Sequence, residues 1–368
     1  MAYFLAAAMA IVLVGFVGLI LAGNVIKRLD EDRYAWEIVD AEGDRVTDAQ
    51  FDEMRAFHNG LAAVRQGDRW GFVDAKGTMV VAPAFKDARD FLAPDRAAVR
   101  DPDNVRWGYI DRSGAWVIDP TLYDTWGFSE GLAVVRVSIG LRTSRITSAV
   151  PELTAGLLDP DGHWVIAPVQ DRKAPNRMVD ARDASEGLVA VEIQDKWGFV
   201  DLQGHPVIPP TYDRAGDFVG GLAPVATGDR WSFVDRTGAT VLSGPWSDAC
   251  AFSEGLAAVR GPSGWSFVDR SGATVIPGPF ENVQPFSEGY AGAEKDKVWG
   301  FIDKQGTWVV QPAYRSVEAG VSEGEAIVTR QGAHLETLYV DMAGEERGPF
   351  EGALPYSGGV AGVRVDRR

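Results

Sequence analysis

Carboxylates are the commonest groups in this 368-residue chain that could move a proton or hold a cation, with 52 Asp and Glu against 36 Lys and Arg. Nine of them share one setting. Asp40, Asp74, Asp111, Asp159, Asp201, Asp235, Asp269, Asp303 and Asp341 are each followed three residues later by glycine. General acid–base catalysis would need one of these made unlike the rest, and nine alike point instead to a turn. An Asp side chain can accept the turn's own N–H groups, and Gly tolerates the positive φ at its end. The acid pairs Asp101/Asp103 and Asp159/Asp161 lack the run of oxygen ligands a calcium loop uses, so they too read as turn acids. His58, His163, His205 and His334 are scattered without zinc-ligand spacing, and Cys250 has no His nearby. There is no phosphate-binding Gly loop. The expectation is a protein with no catalytic, cofactor or metal residues, and not an enzyme.

The elements that hold these aspartates repeat with them. Successive copies lie 34 to 48 residues apart, most often 34, which marks a tandem array of small units that bury their core only against neighbours. In the clearest copy, Leu256 to Val259, Trp265 to Val268 and Thr274 to Ile276 are β-prone runs separated by Gly, Pro and Ser turns. Each unit therefore reads as a three-stranded meander, and the connection to the next copy either carries a short fourth strand or merely crosses the unit. A Trp precedes the Asp by four residues in seven copies (Trp36, Trp70, Trp107, Trp197, Trp231, Trp265, Trp299), and Ala155 and Thr337 replace it in the other two. Side chains alternate across a strand, so Trp70 and Phe72 share one face, Gly71 and Val73 the other, and both faces are apolar. Gly71, Gly108, Gly198 and Gly300 directly after Trp predict close approach of another backbone or ring.

The phrase WGFVD-x-x-Gly, then VIxPxYD, then FSEGLAxV, resembles the WG-repeat (KWG-repeat) proteins over residues 34 to 366. Lys196-Trp197-Gly198-Phe199-Val200-Asp201 and Trp299-Gly300-Phe301-Ile302-Asp303 match best. Glu37, Ser232 and Ser266 depart from it by replacing the Gly after Trp. The resemblance implies a β-rich tandem array acting as an interaction module of bacterial proteins, and brings no catalytic residue.

The expected fold is all-β: tandem β-meander repeats in a propeller-like curved array, preceded by one N-terminal transmembrane helix. The array starts at the Trp36 strand with no LAxV strand before it and ends in Val360-Ala361-Gly362-Val363 with no Trp strand after it. Ends that complete each other fit a closed ring, although nine blades exceed the usual four to eight. An open superhelix is the alternative.

Residues 3–22 carry no charge over twenty positions, enough to span a bilayer as a helix. They lack the basic start and short apolar stretch of a cleaved signal. Residues 1–26 are thus expected to be a single-pass anchor and 27–33 a charged linker, with cleavage near Leu21-Ala22-Gly23 the alternative. Lys27, Arg28 and Arg33 follow the span, which leans the repeats toward the cytoplasm. One cysteine excludes an intramolecular disulfide framework.

A net charge of −16 argues against nucleic acid as partner. Cations concentrate instead in the two longest spacers, near 137–154 and 169–183, which flank the Trp-less fourth copy. They contain Arg142, Arg145, Arg172, Lys173, Arg177 and Arg182, the candidate partner-binding residues, on segments expected to be surface loops. The leading functional expectation is a membrane-anchored, non-enzymatic scaffold for a protein or surface polymer. The other is a carbohydrate-binding module, for which Trp116, Trp164 and Trp308, with Trp126 and Trp246, are the indoles expected to face solvent.

Overall fold

The computed structural model describes residues 33–92, 94–103, 105–143, 149–332 and 335–367, with backbone alone for 141–143 and 149–151. The expected span at 3–22 lies outside these residues. Among the described residues no helix is long and apolar enough to cross a membrane.

The described residues form nine antiparallel sheets in chain order, the blades of a propeller. Blade 1 joins the two ends of the chain. Its strands Gly352–Ala353 and Val360–Asp366 come from the C-terminus and Tyr34–Asp40 from the N-terminus, paired in register from Tyr34↔Asp366 to Asp40↔Val360. Residues 45–51 extend this sheet through the bridges Val39↔Arg45 and Trp36↔Phe51. The ring is therefore closed by strand exchange, and the open superhelix does not form. Blade 2 runs from Glu53–Met54 to Met79–Phe85, blade 3 from Asp87–Leu92 to Trp116–Leu122, and blade 4 from Asp124–Ser129 to Trp164–Ile166. Blade 5 runs from Met178–Ala181 to Pro206–Tyr212, blade 6 from Arg214–Ala215 to Thr240–Trp246, and blade 7 from Asp248–Ala249 to Thr274–Phe280. Blade 8 contains Tyr290–Lys295, Val298–Asp303 and Trp308–Tyr314, and blade 9 runs from Ser316–Ser322 to Glu346–Phe350.

The connection between copies does carry a further strand, the first of the blade, except in blade 8, where only the bridge Val283↔Ala293 stands in its place. In blades 6 and 7 it is only two residues long, Arg214–Ala215 and Asp248–Ala249, too short for any period to show in sequence. The glycine after Trp behaves as expected: a Cβ at Gly198 or Gly300 would stand 2.5 Å from the Ile208 or Val310 carbonyl oxygen of the fourth strand. Prolines such as Pro83, Pro120 and Pro312 sit in that outermost strand, where a missing N–H disturbs no further pairing and discourages edge-to-edge association.

Blades stick together through a repeated ring pair. The third-strand aromatic of one blade meets the aromatic that lies shortly before the next blade's second strand, as in Phe72–Phe91 at 4.7 Å, Phe199–Phe218 at 4.8 Å and Phe267–Phe286 at 4.9 Å. All six of these rings are almost fully buried. Such contacts combine large apolar burial with favourable edge geometry.

Two loops share one face of the ring. In the aspartate turns one carboxylate oxygen accepts two N–H groups, for example Asp303 Oδ1 from Gln305 at 2.9 Å and Thr307 at 2.8 Å, and the closing glycines have φ of 77° to 88°. Beside them the Ser-Glu-Gly loops latch each blade to the next. Glu288 accepts the N–H groups of Glu323 and Gly324, both at 2.8 Å, while Ser287 Oγ donates to the Val321 carbonyl at 2.7 Å. Glu130 and Glu323 repeat the carboxylate bridge elsewhere in the ring. The opposite face carries the hairpins between second and third strands and the blade-to-blade connections. Tyr34, where the chain enters the ring, lies on that hairpin face, paired with Asp366.

Candidate functional site

Both insertions belong to blade 4 and both lie on the hairpin face. The first lengthens a hairpin to strands of 12 and 10 residues, Leu132–Thr143 and Ala149–Leu158. The second is the connection from Ile166 to Met178, which folds back on that hairpin. Glu152 joins the two, pairing with Arg172 at 3.3 Å and Arg177 at 3.5 Å. Arg177 also donates to the Leu153 carbonyl at 3.2 Å, and Thr154 Oγ1 to the Met178 carbonyl at 3.0 Å. The Arg142 backbone pairs with Val150, Lys173 is exposed on the connection, and Arg145 lies outside the described residues. Arg182 does not join this group. It stands at the end of blade 5's first strand and pairs with Asp217 of blade 6 at 2.8 Å.

That pair belongs to a series the sequence reading missed. Arg55–Asp87 at 3.1 Å and Arg89–Asp124 at 2.8 Å also link consecutive blades at their first strands, and Arg136 of blade 4's second strand reaches Asp180 of blade 5's first at 2.8 and 2.9 Å. Equivalent strands of neighbouring blades come this close only near the ring axis, so these charges line the hub. The legible signal was the recurrence of Asp-Ala-Arg-Asp at 87–90 and 180–183, hidden by variation in the other copies. The arginines also cover indoles. Arg55 lies over Trp70 at 5.1 Å, Arg89 over Trp107 at 4.6 Å and Arg214 over Trp231 at 5.3 Å.

Blade 4 breaks this pattern. Ala155 stands where its neighbours have Trp, directly across from Arg136 in the hairpin register, and the Arg136 guanidinium lies over Trp126 at 4.6 Å. Beside it opens a cavity of about 340 Å³ lined by Trp126, Arg136, Asp180, Asp183, Trp197 and Asp217, among others. Asp183 opens onto this space, yet the surrounding protein strips enough water to push its carboxyl above the ordinary range, and the Asp217 charge adds to the rise. Glu192 is raised in the same way, by burial first and then by Asp180 and Asp195.

The repeat-core indoles Trp70, Trp107, Trp231 and Trp265 are buried, as expected, and Trp36, Trp197 and Trp299 are half-buried. The second indole set needs correction. Trp116 and Trp164 are 36% and 40% exposed, but Trp126, Trp246 and Trp308 are half-buried. Trp246 packs edge-on against Phe233 at 5.9 Å and Trp308 against Phe280 at 6.0 Å, so these rings seal blades and seams. Asp159, Asp161 and His163 bring three potential ligand atoms within 4.8 Å of one another. Asp159 Oδ1 accepts the N–H groups of Asp161 at 3.0 Å and His163 at 2.7 Å, the arrangement found in the other aspartate turns.

A family model described as WG containing repeat matches residues 38–70, 70–101, 107–138, 197–231, 265–299 and 299–330, together just over half of the chain. Blade 4's third strand and both insertions fall in the unmatched stretch between 138 and 197. A search of curated proteins gives no match. Among solved structures, one described as the crystal structure of the eukaryotic initiation factor is similar at a TM-score of 0.57 and 12% identity, covering 91% of this chain and 98% of that one. That likeness concerns the fold alone. The WD40 domain of SCAP from fission yeast (TM-score 0.40, 9% identity, 90% and 98% covered) and the dihydro-heme d1 dehydrogenase NirN in complex with DHE (0.44, 12%, 87% and 73%) overlap too loosely to carry an argument.

Proposed function

The chain belongs to the family of WG containing repeat proteins, and from that premise we propose that it is a non-enzymatic scaffold whose ring presents the blade 4 insertions to an anionic protein or surface polymer. The observation that carries this reading is the convergence of both insertions on one face, fixed to each other through Glu152. Residues 137–154 and 169–177 hold five cations, Arg142, Arg145, Arg172, Lys173 and Arg177, against two carboxylates, Glu152 and Asp171. On a chain of net charge −16 that excess would draw an anionic partner by steering.

The reading includes a membrane anchor over residues 3–22, with the repeats on the cytoplasmic side. Tyr34 enters the ring on the hairpin face, so a span there would hold the insertions toward the bilayer. The alternative is export after cleavage near Gly23. Sequencing the N-terminus of the membrane fraction separates the two: Met1 or Ala2 supports the anchor, and a start near Gly23 replaces it.

The functional test is capture of partners by the detergent-solubilised chain, compared with a variant reversing Arg142, Arg145 and Lys173. Weaker capture, with the difference shrinking at high salt, is expected. Full retention of every partner would reject the insertions as the binding face. A carbohydrate-binding surface is the second reading, favoured by exposed Trp116 and Trp164 on the outer strands of adjacent blades. It predicts glycan binding that disappears in the variant with both indoles changed to alanine.

A further inference from the structure

The cavity at the seam of blades 4, 5 and 6 is distinct from the insertions and has its own chemistry. In blades 2, 3 and 6 a guanidinium from the first strand lies over the repeat Trp of the same blade. In blade 5 the corresponding Arg182 turns away to Asp217, donating from Nε at 2.8 Å. Among the described residues no cation lies over Trp197, as none lies over Trp265 or Trp299, but Trp197 lines the cavity. The carboxylates are also out of balance. Arg136 is committed to Asp180 and Arg182 to Asp217, while Asp183 has no hydrogen-bond or ion-pair partner among the described residues. A half-buried indole with no cation over it thus lines one cavity with three carboxylates, Asp180, Asp183 and Asp217, against two guanidiniums, Arg136 and Arg182, each of which is paired to a carboxylate other than Asp183.

We propose that this cavity binds a guanidinium or alkylammonium group, with Asp183 as counter-charge and Trp197 as its aromatic wall. The group occupies the role that Arg55, Arg89 and Arg214 fill for their own blades. An aromatic face and a carboxylate together favour such a cation over a neutral isostere. Partial desolvation of the Asp183 carboxyl and the neighbouring Asp217 charge, offset in part by Arg182, support the assignment, since an incoming cation would relieve the cost of its charge. The site does not depend on the scaffold reading. A free amine and a basic side chain of a partner present the same chemistry.

The test is calorimetric titration of the full chain with N-acetyl-arginine amide and with N-acetyl-citrulline amide, its neutral isostere. The arginine compound should bind and the citrulline compound should not. Asp183→Asn should weaken binding about tenfold, the scale of one charge-assisted contact, whereas Asp229→Asn, outside the cavity lining, should leave it unchanged. Equal binding of both compounds, no binding of the arginine compound, or full affinity in Asp183→Asn would each overturn the proposal. The first two results need only the wild-type chain, so misfolding of a variant cannot protect the idea. A short peptide with one central arginine identifies the source. Tighter binding than the amide indicates a partner's side chain, and equal binding indicates a small amine.

Discussion

At the seams of blades 6 with 7 and 7 with 8, Phe233 meets Phe252 at 5.0 Å and Phe267 meets Phe286 at 4.9 Å. At the seam of blades 4 with 5 the same two positions hold Leu157 and Ala184. The apolar area removed by the smaller pair is replaced by polar ties: two hydrogen bonds from Arg136 to Asp180, Thr154 to the Met178 carbonyl, and Glu152 with two arginines. Such ties contribute less per contact than buried rings, and exposed ion pairs least of all. What the irregular seam gains is an opening and charge at the hub. The regular seams hold the ring together, and the irregular one is where recognition has room.

The largest expected effect tests that contrast directly. Phe267→Ala should cost about 3–5 kcal/mol and Leu157→Ala less, within about 2–5 kcal/mol, the ranges for truncating buried aromatic and aliphatic side chains. Urea melts decide it. A Leu157→Ala loss equal to or above that of Phe267→Ala would show that blade 4 is packed as firmly as the rest.

Acid should weaken the ring through its turns. Asp269 and Asp235 are held below the ordinary aspartate pKa chiefly by the hydroxyls of Ser271 and Thr237, and Asp201 by the His205 N–H. Because the folded values lie below the unfolded one, the stability their ionisation adds is complete above roughly pH 4 to 5 and is lost as pH falls through the depressed values. The raised Asp183 has the opposite sign: its ionisation counts against the folded state above the ordinary aspartate range. Asp269→Asn should therefore lower the urea midpoint at pH 7 and flatten its acid dependence, whereas Asp183→Asn should leave the midpoint unchanged or raise it. The reverse ranking would contradict the assigned roles.

A smaller effect concerns the latches. Removing the Glu288 bridge to Glu323 and Gly324 with Glu288→Ala should cost about 1 kcal/mol, a modest figure because the carboxylate is exposed. Hydrogen exchange should quicken at the amides of Glu323 and Gly324 first. Unchanged exchange there would mean that backbone pairing alone fixes the loop. Smallest of all, Trp164→Ala should cost under about 1 kcal/mol, since the ring is 40% exposed. A loss rivalling that of Phe267→Ala would place Trp164 among the seam rings.

Much of the fold was legible because each copy states it again. The Asp-x-x-Gly turns, the buried indoles and the close approach at Gly198 and Gly300 are local consequences of residue type and strand alternation, and they occur as read. The two-residue first strands escaped because pairing that short leaves no pattern. The indoles Trp246 and Trp308 were misread as solvent-facing because their burial comes from Phe233 and Phe280, residues outside their own strands.

The candidate site divides in the same way. Sequence alone located the two basic insertions and showed that both belong to the Trp-less copy. It could not show that Arg172 and Arg177 converge on Glu152, or that Arg182 leaves them for Asp217, because side-chain partners 20 to 35 residues away are chosen by how blades stack. The sequence by itself determined the repeat, its turns, its apolar faces and the matching ends, since these depend on neighbours along one strand or hairpin. Only the tertiary structure decided that the ends pair as Tyr34↔Asp366, that nine blades close, and that Trp197 and Asp183 share a cavity. Those outcomes depend on the small rotation accumulated from blade to blade, a quantity set by packing between copies and written in no single one of them.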